Sequence, residues 1–262
     1  MKHCLVPIIS NEEILPDIYF LSLETPQITN LAQPGQFVML SCADCLLRRP
    51  LGIHRIDNKG CLSLLYNIIG KGTKWLSQKK KGDELDILGP LGNGFTLKPQ
   101  VCNILLIAGR IGIAPLLFLA DTALERGISV TVMLGTTKAN QLYPESLLPK
   151  QIKFLTYTED GSPAKTTIPT QKGRVTDYIA PLAPQSDQIF SCGPAGMYQS
   201  LKDSLDLVEY KGSVQVSLDV RMGCGLGACY GCSIRTNQGM KKVCQDGPVF
   251  ELSEIFPEEL KI

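Results

Sequence analysis

"LLIAGRIGIAPLLFLA", Leu105 to Ala120, is the stretch that decides the fold. It opens as a continuous apolar run, the pattern of a strand buried on both faces. Gly109 and Gly112 flank a turn, and a helical pattern follows from Gly112 to Arg126, closed by Gly127. Pro115 falls in the first helical turn, where its missing N–H costs nothing. Strand, glycine turn and helix make one half of a βαβ unit. The flanking sequence repeats the theme. Asn103–Ala108, Ser129–Leu134, Lys153–Tyr157 and Gln188–Ser191 read as strands, and Ala195–Leu207 as a further helix. Strands alternating with helices predict a parallel sheet covered on both faces across residues 99–211.

Before it, residues 1–98 read as all-β. Glu12–Leu23, Gln36–Ser41, Cys61–Asn67 and Glu84–Leu88 are short apolar or alternating runs. Turn residues separate them: Gln33-Pro34-Gly35, Asp57-Asn58-Lys59-Gly60, Lys81-Gly82-Asp83 and Gly89-Pro90. Short strands at this spacing predict a small antiparallel barrel, with one helix starting near Gly72. After residue 211 come a strand over Val214–Val220, a cysteine-rich loop and two more short strands. Residues 212–262 hold too little apolar sequence for a core of their own and so call for a staple such as a metal centre. The chain therefore reads as multi-domain.

Composition narrows the partners. The chain has 262 residues, with Lys+Arg 26 against Asp+Glu 25 and a net charge of +1. That balance sets up no field for nucleic acid or an anionic membrane. The longest apolar run, Ile111 to Ala123, is short and broken by Pro115, so no membrane span is expected. Met1-Lys2-His3-Cys4 leads directly into strand-like sequence without a cleavable apolar region, which makes the cytoplasm the expected location. Ten cysteines in a reducing compartment are not a disulfide framework. Cys4, Cys42, Cys45, Cys61, Cys102 and Cys192 are scattered and read as small core or loop residues.

The remaining four fall in "CGLGACYGC" (224–232) and at Cys244, spaced C-x4-C-x2-C-x11-C. Zinc sites use paired C-x2-C knuckles or mixed cysteine and histidine, and the only histidines, His3 and His54, are distant in sequence. The spacing is that of a plant-type [2Fe–2S] site, in which Cys224, Cys229, Cys232 and Cys244 hold two irons. Gly223, Gly225, Gly227, Ala228 and Gly231 let backbone N–H groups approach the sulfurs. A zinc staple or a loop of free thiols are the alternatives.

Other stretches are less specific by themselves. Arg49-Pro50-Leu51-Gly52 follows a strand and reads as a loop or an anion contact. Gly70-Lys71-Gly72-Thr73 opens a helix and reads as a plain N-cap or a phosphate cradle. The turn at Gly109–Pro115 is placed for a dinucleotide pyrophosphate although the full G-x-G-x-x-G is absent. Cys192-Gly193-Pro194 is another strand-to-helix turn.

Taken in order, "RRPLG", "GKGT", "GRIGIAP" and "CGPAGM" resemble the ferredoxin–NADP reductase superfamily over the whole chain. "MGCGLGACYGC", "KKVCQDGPVF", "TEDGS" and the run from Tyr66 to Ser77 narrow the resemblance to the electron-transfer subunits of NAD-dependent dihydroorotate dehydrogenase. The resemblance implies FAD in the barrel, lined by Arg49, Pro50, Leu51, Gly52, Leu65, Tyr66 and Asn67, with Gly72 and Thr73 at its pyrophosphate. It implies NAD at Gly109, Gly112 and Pro115, with Cys192 and Gly193 at the nicotinamide–flavin junction, and the [2Fe–2S] cluster on the four cysteines. It further implies an FMN-containing catalytic subunit as partner, in a heterotetramer of two plus two within pyrimidine biosynthesis, and no catalytic acid or base in this chain. Leu226 and Tyr230 are candidates for the docking surface, or else pack on the cluster. Four positions depart from the family pattern: Gly52 stands for a common serine, Asn67 for arginine, and Ala108 and Arg110 for glycines. "LGTTKAN" holds no arginine clamp for a 2′-phosphate, which favours NAD over NADP. An adaptor subunit of a bifurcating ferredoxin–NADP reductase or of a hydrogenase diaphorase is the alternative; the four-cysteine set argues against the bifurcating type, which often carries aspartate at one ligand.

Overall fold

The computed structural model describes residues 1–42, 45–163 and 167–260. Residues 2–91 form a closed antiparallel barrel of six strands: β1 (Lys2–Leu15), β2 (Ile18–Glu24), β3 (Phe37–Leu40), β4 (Arg49–Ile56), β5 (Cys61–Asn67) and β6 (Glu84–Leu91), in the order β1-β2-β5-β4-β3-β6. Helix α1 (Pro26–Thr29) follows β2, and α2 (Lys71–Ser77) follows β5. The interior is filled by alternate residues such as Leu21, Leu23, Leu62, Leu64 and Ile87.

Three readings of this region are corrected. The run Glu12–Leu23 is two strands, because Pro16-Asp17 turns the chain: Leu15 pairs with Ile18 and Asp17 sits at φ +60°. Proline presets the first turn position and aspartate tolerates the left-handed second. Arg49–Gly52 lies inside β4 rather than after a strand. Gly89-Pro90 lies inside β6, where the β1 ladder ends at the Lys2–Gly89 pair, so the missing N–H of Pro90 breaks no bond on that side.

The second sheet is built from β7 (Asn103–Gly109), β8 (Ser129–Thr136), β9 (Lys153–Thr158), β10 (Thr170–Lys172), β11 (Gln188–Cys192), β12 (Ser213–Ser217) and, after the short hairpin β13 (Ser233–Thr236) and β14 (Gly239–Lys242), β15 (Val249–Glu251). Its order is β10-β9-β8-β7-β11-β12-β15, parallel except for β15. Helices α3 (Ile113–Glu125) and α4 (Ala195–Leu207) follow β7 and β11, and α5 (Val243–Asp246) precedes β15. The chain winds outward from β7 in one direction to β10 and in the other to β12. The switch point therefore lies between β7 and β11, where an open α/β sheet binds ligands beyond its strand ends.

The sheet crosses the boundary expected at 211/212, because β12 and β15 complete its edge. Residues 212–260 do not make a separate core. Val216, Met222, Val243, Cys244, Phe250 and Ile255 share one apolar cluster with Phe37 and Met39 of β3 and Leu105 and Ile107 of β7. The shortage of apolar residues seen in the sequence is met by the neighbouring sheet and barrel as well as by any staple.

Two residues of β4 fix the barrel against α3. Arg55 grips Asp121 with both Nε (2.6 Å) and Nη2 (2.7 Å), a bidentate pairing that sets orientation as well as energy. His54, fully buried, lies 2.8 Å from the Ala114 carbonyl through Nδ1 and 3.0 Å from the Tyr143 hydroxyl through Nε2. Burial lowers its pKa to about 4, so the ring is neutral, donating from Nδ1 and accepting at Nε2. Because the folded value lies below the unfolded one, stability is complete above pH 6.5 and falls as pH drops toward 4, by about 3 kcal/mol. In urea melts between pH 7 and pH 4.5, His54→Gln is expected to lack this share of the acid decline. Equal declines in both proteins would contradict the assignment.

Candidate functional site

The barrel opens on one side. The first half of β4, Arg49–Gly52, pairs only with β3, and its second half turns to β5. The last residues of β5, Leu65–Asn67, pair only with β2. Between these two stretches β4 and β5 are not paired, so each has a ladder partner on one side only, and buried or half-buried polar groups of this kind demand partners. Helix α2 starts just beyond, and its first N–H groups have no partner within the helix. At Gly72 an added Cβ would sit 2.6 Å from Arg49 Nε, so the arginine side chain lies directly across the start of this helix. Arg49 also donates to the Leu47 carbonyl.

These positions, drawn from three separate elements, are the ones expected to line a flavin: Arg49, Pro50, Leu51, Gly52, Leu65, Asn67, Gly72 and Thr73. Two side chains do something else. Tyr66 points into the barrel, stacks on Tyr19 at 5.6 Å and donates to Asn11 Oδ1, so only its backbone reaches the opening. Thr73 accepts the N–H groups of Ile69 (2.9 Å) and Gly70 (3.2 Å), shaping the turn rather than presenting a free hydroxyl. A Cβ at Gly52 would meet nothing nearer than Pro115 at 3.9 Å, so the missing serine costs a hydroxyl and not a fit.

At the switch point the turns after β7 and β11 press against each other. A Cβ on Gly112 would fall 2.0 Å from the Cys192 carbonyl oxygen, one on Gly109 2.8 Å from Pro194, and one on Gly193 2.4 Å from Met197. At Gly112, where the obstruction is the Cys192 backbone, only glycine permits this packing. Tyr198, buried in α4, accepts the Gly193 N–H (3.1 Å) and donates to the Ser217 carbonyl (2.7 Å), tying the second turn to β12. Burial pushes the Cys192 thiol up to about 12, so it is a neutral group and no nucleophile. Arg110 takes φ +53° and donates from its guanidinium to Thr137 Oγ1 at 2.9 Å. A cleft of about 330 Å³ lies between the β1–β2 turn, Leu65 and Asn67 on the barrel and Arg110, Ile111, Gln141 and Tyr143 on the sheet.

The four cysteines come together as two pairs. Cys224 interacts most closely with Cys229 and Cys244 with Cys232, and Cys224 also lies within electrostatic reach of Cys244. Among the described residues no three Cys, His, Asp or Glu side chains converge on one point. A mononuclear zinc site requires four ligands about one centre. Two thiol pairs suit two irons, each taking two protein sulfurs. Every sulfur accepts a backbone N–H: Leu226 to Cys224 (3.4 Å), Gly231 to Cys229 (3.4 Å), Cys244 to Cys232 (3.4 Å) and Gly227 to Cys244 (3.1 Å). The donor set is all sulfur, and its N–H groups are placed for negative charge, so the residues fit the cluster. Burial is the largest single influence on Cys224 and raises it, but the N–H donors of Leu226, Cys229 and Ala228 and the Cys229 thiol together outweigh it and hold Cys224 at about 6. Burial and the Cys232 neighbour push Cys244 up to about 12. Cys229 is exposed whereas Cys232 and Cys244 are buried, so the cage has an outer and an inner pair. On its inner side Gly225, at φ +72°, leaves room for Met39 of β3, and Asn93 donates to the carbonyls of Gln245 (3.1 Å) and Asp246 (3.0 Å). Met39 and Asn93 bind the cage to the barrel. Neither carried a sequence signal, because the contacts are made across about 150 to 190 residues of chain.

A barrel opened for a flavin, a glycine-packed switch point and a two-pair thiol cage define a flavin- and iron–sulfur-dependent reductase of the ferredoxin–NADP reductase type. The iron-sulfur cluster binding domain of dihydroorotate dehydrogenase B matches residues 219–256. The dihydroorotate dehydrogenase B (NAD(+)) electron transfer subunit of Desulforamulus reducens is 37% identical over 90% of this chain and 92% of the relative, and that of Bacillus caldolyticus is 40% identical over the same shares. A solved NADH-dependent reduced ferredoxin–NADP oxidoreductase superposes with a TM-score of 0.85 at 29% identity, covering 98% of this chain and 91% of the other. Phthalate dioxygenase reductase, at 16% identity and a TM-score of 0.63, shares the fold. The chain belongs to the family of electron transfer subunits of NAD(+)-dependent dihydroorotate dehydrogenase B.

Proposed function

We propose that FAD lies in the barrel opening, that a [2Fe–2S] cluster fills the cage of Cys224, Cys229, Cys232 and Cys244, and that NAD meets the flavin at the turns of Gly109–Pro115 and Cys192–Gly193. The observation that carries this reading is the opening itself. Backbone at 49–52 and 65–67, each paired on one side alone, lies with the start of α2 and the switch point of the sheet about one region. When bound, the cluster supplies one-electron steps and the flavin joins two of them into a hydride exchanged with NAD.

The chain's own residues bind and orient. Arg49 sets a positive charge over the start of α2, where a pyrophosphate gains both that charge and free N–H groups. Gly109 and Gly112 bring backbone close to the dinucleotide. The partner is the catalytic subunit of dihydroorotate dehydrogenase, carrying FMN, in an assembly of two plus two. Electrons enter by way of the cage and leave as NADH. Leu226 and Tyr230 are 48% and 68% exposed, and this exposed surface beside the cage is where that partner docks. No described helix is long and apolar enough to cross a membrane, and the cytoplasm is the proposed location.

The test is co-expression with the catalytic subunit. The purified complex is expected to contain flavin, iron and acid-labile sulfide and to reduce NAD with dihydroorotate. A complex with both cofactors that ignores dihydroorotate would move the chain to the adaptor subunits of other NAD(P)H oxidoreductases.

A further inference from the structure

The residue before the last cage cysteine has its own arrangement. Lys242 ends β14, and its backbone N–H donates to Asp246 Oδ2 at 2.6 Å. Its side chain folds back over the cysteine loop, where Nζ donates to the Gly227 carbonyl at 3.0 Å and sits 4.8 Å from the ring centroid of Tyr230. Gly227 is the residue whose N–H is given to Cys244 Sγ, and Tyr230 lies between Cys229 and Cys232 at φ +57°. One ammonium therefore grips the loop at two points, one on each side of Cys229. Among the described residues it forms no ion pair within 4.0 Å, so its charge is not neutralised locally. The carbonyl and the ring face that it contacts both favour a cation.

We propose that Lys242 is a positioning residue that sets the reduction potential of the cage. Reduction adds one electron, and so one negative charge, to the four-thiolate centre. A half-buried cation beside the centre stabilises that extra charge more than it stabilises the oxidised form. The same contact holds residues 227–230 so that the N–H of Gly227 stays aimed at Cys244. The ordinary cluster ligands do not account for a lysine here, since a neutral residue could end β14 equally well. The inference rests on the cluster reading above.

The experiment is an EPR-monitored redox titration of the purified complex, with iron, sulfide and flavin measured on the same samples. Lys242→Met is expected to keep the cluster and move its midpoint to more negative values, by about a tenfold change in the reduction constant, or ~59 mV for one electron. The flavin midpoint is expected to stay where it is. Lys242→Arg, which keeps the cation, is expected to stay near the wild type. If Lys242→Met loses the cluster, Lys242→Gln, which can still reach the Gly227 carbonyl without a charge, gives the reading. A neutral variant with full cluster content and an unchanged midpoint overturns the proposal, as does an equal negative shift in Lys242→Arg. A wild-type complex lacking iron and sulfide would overturn the cluster reading itself, a result separate from any change in midpoint.

Discussion

Cys244→Ser is expected to yield a folded, yellow protein with iron and labile sulfide reduced about tenfold or more and flavin content unchanged. Cys244 is 3% exposed, accepts the Gly227 N–H and gives its own N–H to Cys232 Sγ, so it is the element that closes the inner pair. A serine oxygen is a poor ligand for iron that prefers thiolate. The flavin opening draws on 49–52, 65–67 and the start of α2, none of which touches Cys244 in a described hydrogen bond. Flavin reduction by NADH should therefore survive, while electron delivery from the catalytic subunit is lost. Iron, sulfide and flavin analyses with a stopped-flow reduction assay check this. Loss of flavin together with iron from a folded protein would show that the two centres are not separable.

The second large effect is at the switch point. Gly112→Ala is expected to lower the rate of NADH-dependent flavin reduction by about 100-fold, because the added Cβ would lie 2.0 Å from the Cys192 carbonyl oxygen and 2.4 Å from its carbon. Neither neighbour is a movable side-chain end, so the turns after β7 and β11 must separate. They are the surfaces between which nicotinamide and flavin have to be aligned, and displacements of about 1 Å cost rates of this order. Flavin and iron contents should remain near the wild type. A normal NADH rate in Gly112→Ala would mean that the dinucleotide does not use this turn.

Much of this was legible because it is local. The strand–glycine turn–helix of Leu105–Ala120 carries its period and its caps within sixteen residues, and the cysteine spacing is a direct statement of ligand chemistry. What escaped was long-range or backbone-encoded. Arg49–Gly52 reads as a loop since nothing in four residues reveals that β4 changes partners midway; that change opens the barrel. Tyr66 lies in a correctly placed strand, but its inward face depends on register. β12 and β15 looked like part of a small separate unit because the sequence does not show that their partners are β11 and each other. Lys242 stands beside a ligand in sequence, yet its action on Gly227 and Tyr230 depends on how β14 returns under the loop. Pro16-Asp17, by contrast, was a readable turn signal that the apolar run around it concealed.

The most direct measurement is anaerobic addition of NADH to the isolated chain carrying both cofactors, followed by absorbance and EPR on one sample. The account predicts bleaching of the flavin band and, with it, the EPR signal of a reduced [2Fe–2S] centre. It predicts further that Cys244→Ser keeps the first and lacks the second. A reduced flavin beside a cluster that stays oxidised while dithionite still reduces it would contradict the claim that opening, switch point and cage form one electron path.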